Sequence, residues 1–242
     1  MTEKRVAIVT GSSSGIGEAV ARRLAEDGVR VVVNSVRSVE AGQQLAESLP
    51  GAIYLQADVS VENQAKELVS RTIEEFGRLD VLVNNAGATR RIPHPDLAAV
   101  TPEVWREILD LNVIGTWQTA VAAIPHLRES GAGCIVNVSS VAGSRPVGSS
   151  IPYAVSKAAI EHMTRLLANT VGPEVRVNAV APGLIETPWT KDFTEIAAMT
   201  KKLTPLKRVG LPEDVAEAVV GLANSMYVTG QVLLVDGGAH LL

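Results

Sequence analysis

The chain has 242 residues, of which 46% are apolar and 20% charged, and a formal charge of −4. That balance permits a sizeable core in one α/β unit and excludes an intrinsically disordered chain. Mild acidity, the lack of a basic run and an aromatic content of 3% argue against nucleic-acid recognition.

The N-terminal MTEKRVAIVT runs from a few polar residues straight into an apolar run, with no signal-peptide core, and no segment reaches the roughly 18 apolar residues of a membrane helix. A cytoplasmic chain without membrane attachment is expected. Short β-branched runs then recur: VAIVT from Val6, VRVVVN from Val29, AIYLQ from Ala52, DVLVN from Asp80, CIVNV from Cys134, VRVNAV from Val175 and QVLLVD from Gln231. Most are apolar nearly throughout, as strands buried on both faces must be. Amphipathic helical patterns lie between them at 17–27, 39–48, 62–76, 102–128, 153–170 and 212–223. Gly28, Gly77 and Gly172 close three of these as helix-ending glycines. Alternating strand and helix predicts one domain over 1–242, a parallel sheet covered by helices on both sides, with ligands beyond the carboxyl ends of the strands.

The side chains able to hold a metal or act as a nucleophile are sparse. Cys134, the single cysteine, lies inside a strand and reads as an inert buried thiol, so no disulfide forms within the chain. His94, His126, His162 and His240 are scattered, and no metal site is expected.

At the first strand's end, Gly11, Ser13, Ser14, Gly15, Ile16 and Gly17 form a glycine-rich turn into a helix. Such a turn lets backbone approach a pyrophosphate, and the helix start offers unpaired N–H groups. Its G-x3-G-x-G spacing also suits a plain strand-to-helix turn. The second strand ends Asn34-Ser35-Val36-Arg37 without the acid that would bind a ribose 2′-hydroxyl. Arg37 and Ser35 could hold a 2′-phosphate instead, which predicts NADP(H), unless Arg37 is only a solvated loop residue. Asp58-Val59 follows the third strand, where a carboxylate can accept from an adenine amino group. Asn84-Asn85-Ala86-Gly87 follows the fourth and leaves room for a flat ligand.

Tyr153 and Lys157 stand four apart, on one helical face. An ammonium there lowers a tyrosine pKa, and bringing it from ~10 to ~7 takes about 4 kcal/mol. Lys157 and an oxidised nicotinamide ring could supply it, making Tyr153 an acid–base group. Ser140 can polarise a substrate carbonyl. Asn112, polar in an apolar stretch, could bend its helix and hold a proton-relaying water.

Taken together, TGSSSGIG at Thr10, DV at Asp58, NNAG at Asn84, Asn112, SS at Ser139, YAVSK at Tyr153, APG at Ala181 and VDGG at Val235 resemble the short-chain dehydrogenase/reductase family along nearly the whole chain, and its 3-oxoacyl-[acyl-carrier-protein] reductase-like members in particular. The resemblance implies a Rossmann-type, doubly wound, seven-stranded parallel sheet and a tetrad of Asn112, Ser140, Tyr153 and Lys157. It implies that Lys157 also holds the nicotinamide ribose. It adds Pro182 and Gly183 to the cofactor site, with Ile185 and Thr187 at the carboxamide through backbone and hydroxyl. It further implies a substrate lid over 183–210 with Trp189 shaping the pocket, and a homotetramer or homodimer formed through the 102–128 and 153–170 helices.

The activity expected is hydride transfer between NADP(H) and a ketone or secondary alcohol of small-molecule size. Reduction of 3-oxoacyl thioesters on a carrier protein is the narrower alternative. Relatives with that activity often carry a basic residue just before the fifth strand, where Cys134 stands here. A nucleotide-binding regulator without chemistry is the distant one.

Overall fold

The structure is a computed structural model and describes residues 4–241. Seven strands form one sheet: β1 (Val6–Val9), β2 (Arg30–Ser35), β3 (Ile53–Gln56), β4 (Val81–Asn84), β5 (Gly133–Val138), β6 (Val175–Pro182) and β7 (Val232–Val235). Their order is β3-β2-β1-β4-β5-β6-β7, and every pair is parallel. The order reverses between β1 and β4, which opens a crevice beyond their carboxyl ends. β1, β4, β5 and β6 are buried along their whole length, as their uninterrupted apolar runs require. β7 is an edge strand and is half exposed.

The described residues form eight α-helices, of which all but the seventh flank the sheet: α1 (Gly15–Glu26), α2 (Val39–Ser48), α3 (Glu62–Phe76), α4 (Pro102–Leu109), α5 (Thr116–Glu129), α6 (Ile151–Val171), α7 (Thr194–Leu203) and α8 (Pro212–Asn224). The pleat sends alternate side chains to opposite faces. Ala7 and Val9 join a core with Leu24 of α1 and Val219 of α8. Ile8 between them joins the opposite core with Leu68 of α3 and Leu127 of α5. No helix among the described residues is long and apolar enough to cross a membrane.

Two local expectations need correction. The 102–128 helix is interrupted by a π-helical turn, Asp110–Gly115. The Asn112 side chain leaves the helix to bind the loop after β4, and the Thr116 hydroxyl takes up the Asn112 carbonyl at 2.7 Å. Gly172 closes α6 as expected, in extended backbone at φ −70° and ψ 155°, whereas Gly77 closes α3 at φ 73°. The 183–210 segment contains a helix, α7, that buries none of its residues.

Candidate active site

The loop after β1 is shaped for close backbone approach. Gly11 has φ +60°, and a Cβ there would lie 2.8 Å from the Ala86 Cα. A Cβ on Gly17 would lie 2.5 Å from Asn85 Nδ2 and 2.6 Å from the Gly11 carbonyl oxygen. The two loops after β1 and β4 therefore touch through glycines that accept no side chain. Ser14 precedes α1 without capping it through its side chain, so the first N–H groups of α1 face the crevice free of a side-chain acceptor. Thr187 meets this turn, its Cγ2 3.3 Å from where a Gly15 Cβ would stand. A dinucleotide pyrophosphate fits this cradle; a chain with side chains at Gly11 and Gly17 would close it.

Asn85 does not project into the crevice. Its Nδ2 donates to the Thr10 and Gly11 carbonyls at 2.9 Å each, and the Thr10 hydroxyl accepts from the Asn85 and Ala86 N–H groups at 3.0 Å. That leaves the Ala86-Gly87 backbone as the exposed surface. Asp58 Oδ1 accepts from the Ser60 N–H and hydroxyl at 2.9 and 2.6 Å, and Val59 packs against Gly115. Ser35 departs from its expected role. It is buried, its hydroxyl donates to the Ser38 carbonyl at 3.1 Å, and its oxygen stands 2.9 Å from the Tyr54 hydroxyl. Its single proton is committed inside the turn rather than to a phosphate. Arg37 is exposed and has no ion-pair or hydrogen-bond partner among the described residues.

At the other end of the crevice, α6 begins at Ile151, capped by the Ser150 hydroxyl, which accepts from the Tyr153 N–H at 3.4 Å. The cap puts Tyr153 in the first turn, half-buried, where the Ser140 side chain is near enough to its hydroxyl to lower its pKa. The Tyr153 ring meets Trp189 edge to face at 6.0 Å. Lys157 is buried; its Nζ donates to the Val138 carbonyl at 2.8 Å and lies 5.6 Å from the centre of the Tyr153 ring. Asn112 Oδ1 accepts from the Ala88 N–H at 2.7 Å, while Nδ2 donates to the Ala88 carbonyl and the Ser156 hydroxyl at 3.0 and 2.9 Å. The Asn112 amide thus binds the loop after β4 to α6. A Cβ on Gly87 would sit 3.3 Å from Asn112 Oδ1 and 3.7 Å from Lys157 Nζ, which places both beside the same loop.

Burial dominates the electrostatics of this pair. It pushes the Tyr153 phenol above its usual pKa, and the Ser140 side chain opposes this only in part. The Lys157 ammonium lies over the Tyr153 ring. Burial brings Lys157 itself down to about 8.

Above the site, Ile185 pairs with Gly210 in a parallel bridge, the Gly210 N–H donating to the Leu184 carbonyl at 3.0 Å and the Glu186 N–H to the Gly210 carbonyl at 2.8 Å. The two ends of the 183–210 excursion are thereby clipped together. Thr190 hydrogen-bonds the Ile185 carbonyl and the Thr187 N–H. Pro182 ends β6, and the Gly183 N–H donates to the Val235 carbonyl at 2.9 Å.

The family described as enoyl-(acyl carrier protein) reductase matches residues 11–240. A solved structure from Burkholderia xenovorans, assigned to the short-chain dehydrogenases/reductases, superposes with a TM-score of 0.93 at 33% identity, over 100% of both chains. The chain belongs to the short-chain dehydrogenase/reductase family. Ketoacyl reductase 2, as it is named, of the granaticin polyketide synthase of Streptomyces violaceoruber is 69% identical over 99% of this chain and 98% of its own. The 3-oxoacyl-[acyl-carrier-protein] reductase of Thermotoga maritima is 39% identical over 98% of each chain. The protein is thus an oxidoreductase of keto and alcohol groups, in a family that works with nicotinamide cofactors.

Two supports of this site were not singled out from the sequence. Asn34 staples the glycine turn to β3: Oδ1 accepts from the Gly11 N–H at 3.3 Å and Nδ2 donates to the Leu55 and Ala57 carbonyls at 3.1 Å each. A buried polar chain runs from Thr119 to Asn84, Asn137 and Thr164, at 2.6, 3.0 and 2.9 Å, and joins α5, β4, β5 and α6 beneath the site. The strand residues Asn84 and Asn137 break otherwise apolar runs, which is the signal that could have found them.

Proposed function

We propose that the protein reduces the keto group of 3-oxoacyl thioesters with NADPH. The observation that carries this reading is the gathering of Tyr153 and buried Lys157 on one helix, the Lys157 Nζ 5.6 Å from the Tyr153 ring centre, with the Ser140 side chain near enough to the phenol to lower its pKa. The relative that shares 69% of the sequence and is named for ketoacyl reduction supports the narrower substrate. The counter-argument from Cys134 loses its force. That side chain is fully buried in β5 with its thiol pushed up to about 11, so no side chain at this position meets a carrier protein.

The nicotinamide, when bound, supplies the hydride that adds to the carbonyl carbon. The backbone of Gly11, Gly15, Gly17, Ala86 and Gly87, with Ser13, Ser14 and Ile16, would hold the dinucleotide. Asp58 and Val59 would take its adenine end and Arg37 a 2′-phosphate. Pro182, Gly183, Ile185 and Thr187 would take its nicotinamide end. Ser140 and Tyr153 hold the substrate oxygen, and Tyr153 gives it a proton. The raised pKa of Tyr153 suits this direction, because the phenol stays protonated until an alkoxide forms beside it. Lys157 holds the nicotinamide ribose and returns the proton. Asn112 fixes the loop against which the cofactor would lie, and the second lone pair of its Oδ1 is left to hold a proton-relaying water.

Kinetics with a 3-oxoacyl N-acetylcysteamine thioester, cyclohexanone and a 2-enoyl thioester test the substrate. The thioester ketone should exceed cyclohexanone in kcat/KM by at least ~10-fold. Equal values would return the reading to a general ketone reductase, and preference for the enoyl thioester would favour the reaction in the matched family's description.

We further propose a homotetramer or homodimer through α4, α5 and α6. Trp117, Val121, Val155 and Leu166 stand 44–56% exposed there, an apolar surface that a two-fold contact would cover. Sedimentation should give no monomer at micromolar concentration.

A further inference from the structure

Glu161 has no part in the proton path, yet its residue is only 5% exposed and lies on the helix that carries Tyr153 and Lys157. Steps of four keep residues 153, 157 and 161 on neighbouring parts of one helical face. A carboxyl group is rarely buried without a task, because removing it from water is costly.

Two neighbours are shaped around it. The Ser139 hydroxyl lies 3.1 Å from Glu161 Oε1 and 3.1 Å from the Lys157 carbonyl. Gly143 faces the carboxyl from the other side: a Cβ there would stand 2.5 Å from Oε1, 3.0 Å from Cδ and 3.0 Å from the Lys157 carbonyl carbon. Gly143 is not among the positive-φ glycines, so the space taken by the Glu161 carboxyl and the Lys157 backbone, and not the conformation of Gly143 itself, requires glycine there. Between Ser139 and Gly143 lies a single 3-10 turn, Val141–Gly143, whose N-cap is Ser140. The Ser140 Oγ accepts from the Ala142 N–H at 3.2 Å within that turn. Glu161 therefore touches both ends of the five-residue stretch that carries Ser140.

We propose that Glu161 is a positioning residue: its carboxyl braces Ser139 and Gly143, and so aims the Ser140 hydroxyl at Tyr153 and the substrate oxygen. This rests on reading Ser140 and Tyr153 as the reacting pair. The side chain is needed as an acceptor of the right size, so a neutral amide can stand in for it. Burial raises the carboxyl's pKa while the Ser139 hydroxyl and Arg165 pull it back, in keeping with a group whose hydrogen bond matters more than its charge.

The test uses steady-state kinetics with NADPH and a 3-oxoacyl thioester, cofactor titration by fluorescence, and thermal melts. Glu161→Leu should lower kcat about tenfold or more and leave the NADPH Kd within about twofold. Glu161→Gln should recover most of that turnover. Ser139→Ala should reproduce the loss, and Glu161→Leu with Ser139→Ala should be no worse than either alone, as expected for two members of one contact. Wild-type kcat in Glu161→Leu, losses that multiply in the double variant, or an equal loss in Glu161→Gln would overturn the proposal. Should Glu161→Leu fail to fold, Ser139→Ala and Gly143→Ala decide: reduced kcat supports the brace, and wild-type kcat in both overturns it. Ser140→Ala separates the two readings. If it keeps wild-type turnover, the reading of the reacting pair fails; if it is inactive while the Ser139 and Glu161 variants are not, only the brace fails.

Discussion

The two ends of the crevice are built on different plans. Around β5 and α6, Asn112 is tied to Ala88 and Ser156 and Lys157 to Val138, and Lys157 is buried. Around the end of β2, Ser35 is turned inward and Arg37 stands in solvent without a partner among the described residues. The contrast teaches where precision resides. On the function proposed above, the proton-handling groups are preorganised by the fold, whereas cofactor choice would rest on one exposed cation recruited by the ligand.

Substitutions at the preorganised end should therefore cost far more than those at the open end. Tyr153→Phe is expected to lower turnover by ~10³-fold or more with NADPH binding and melting temperature unchanged, since only the proton-transferring hydroxyl is removed. Steady-state kinetics paired with fluorescence titration would check it, and a drop below tenfold would show that this end is less committed than its geometry suggests.

Lys157→Met is expected to lower turnover by ~10²-fold yet raise stability. Moving the lysine pKa from 10.5 to about 8 costs the fold about 3 kcal/mol, and the sign follows from proton counting. The unfolded chain holds the extra proton between about pH 8 and 10.5, so the cost is complete below about pH 8 and fades as pH rises through that window. At neutral pH the variant should melt about 5 °C higher, after allowing for the partner lost by the Val138 carbonyl. An unchanged or lower melting temperature would mean that the buried ammonium is better compensated than its single hydrogen bond implies.

The same titration predicts a smaller, pH-borne effect. Lys157 carries its proton below about 8 and loses it above, so kcat/KM for reduction should fall as pH rises past about 8. A flat profile up to about pH 9.5 would remove Lys157 from the proton path. Smallest of all, Arg37→Ala should reduce the preference for NADPH over NADH about tenfold with little effect on kcat. Wild-type use of NADH as well as NADPH would make Arg37 a solvated loop residue.

How much of this was legible in the sequence differs between the two ends as well. The parallel sheet was readable because its strands are uninterrupted apolar runs and its glycine turn is local. Tyr153 and Lys157 were readable because four residues on a helix define a shared face. A disturbance of the helix at Asn112 was readable from its polarity, but its form as a π-helical turn was not, since that depends on the Asn112 amide reaching Ala88 on another loop. Nor was the inward turn of Ser35, which depends on Tyr54 from the neighbouring strand. Nor was the upward push of burial on the Tyr153 phenol, because burial is a property of packing that helical spacing does not carry.

The central claim is hydride addition to a 3-oxo group, and following the hydride tests it most directly. NADPH deuterated at the transferring position of the nicotinamide would be incubated with the enzyme and a 3-oxoacyl thioester, and the product examined by mass spectrometry and NMR. The account predicts a 3-hydroxyacyl thioester carrying one deuterium on the carbinol carbon. A product without deuterium there, or label appearing only in a saturated acyl chain formed from an enoyl thioester, would contradict it.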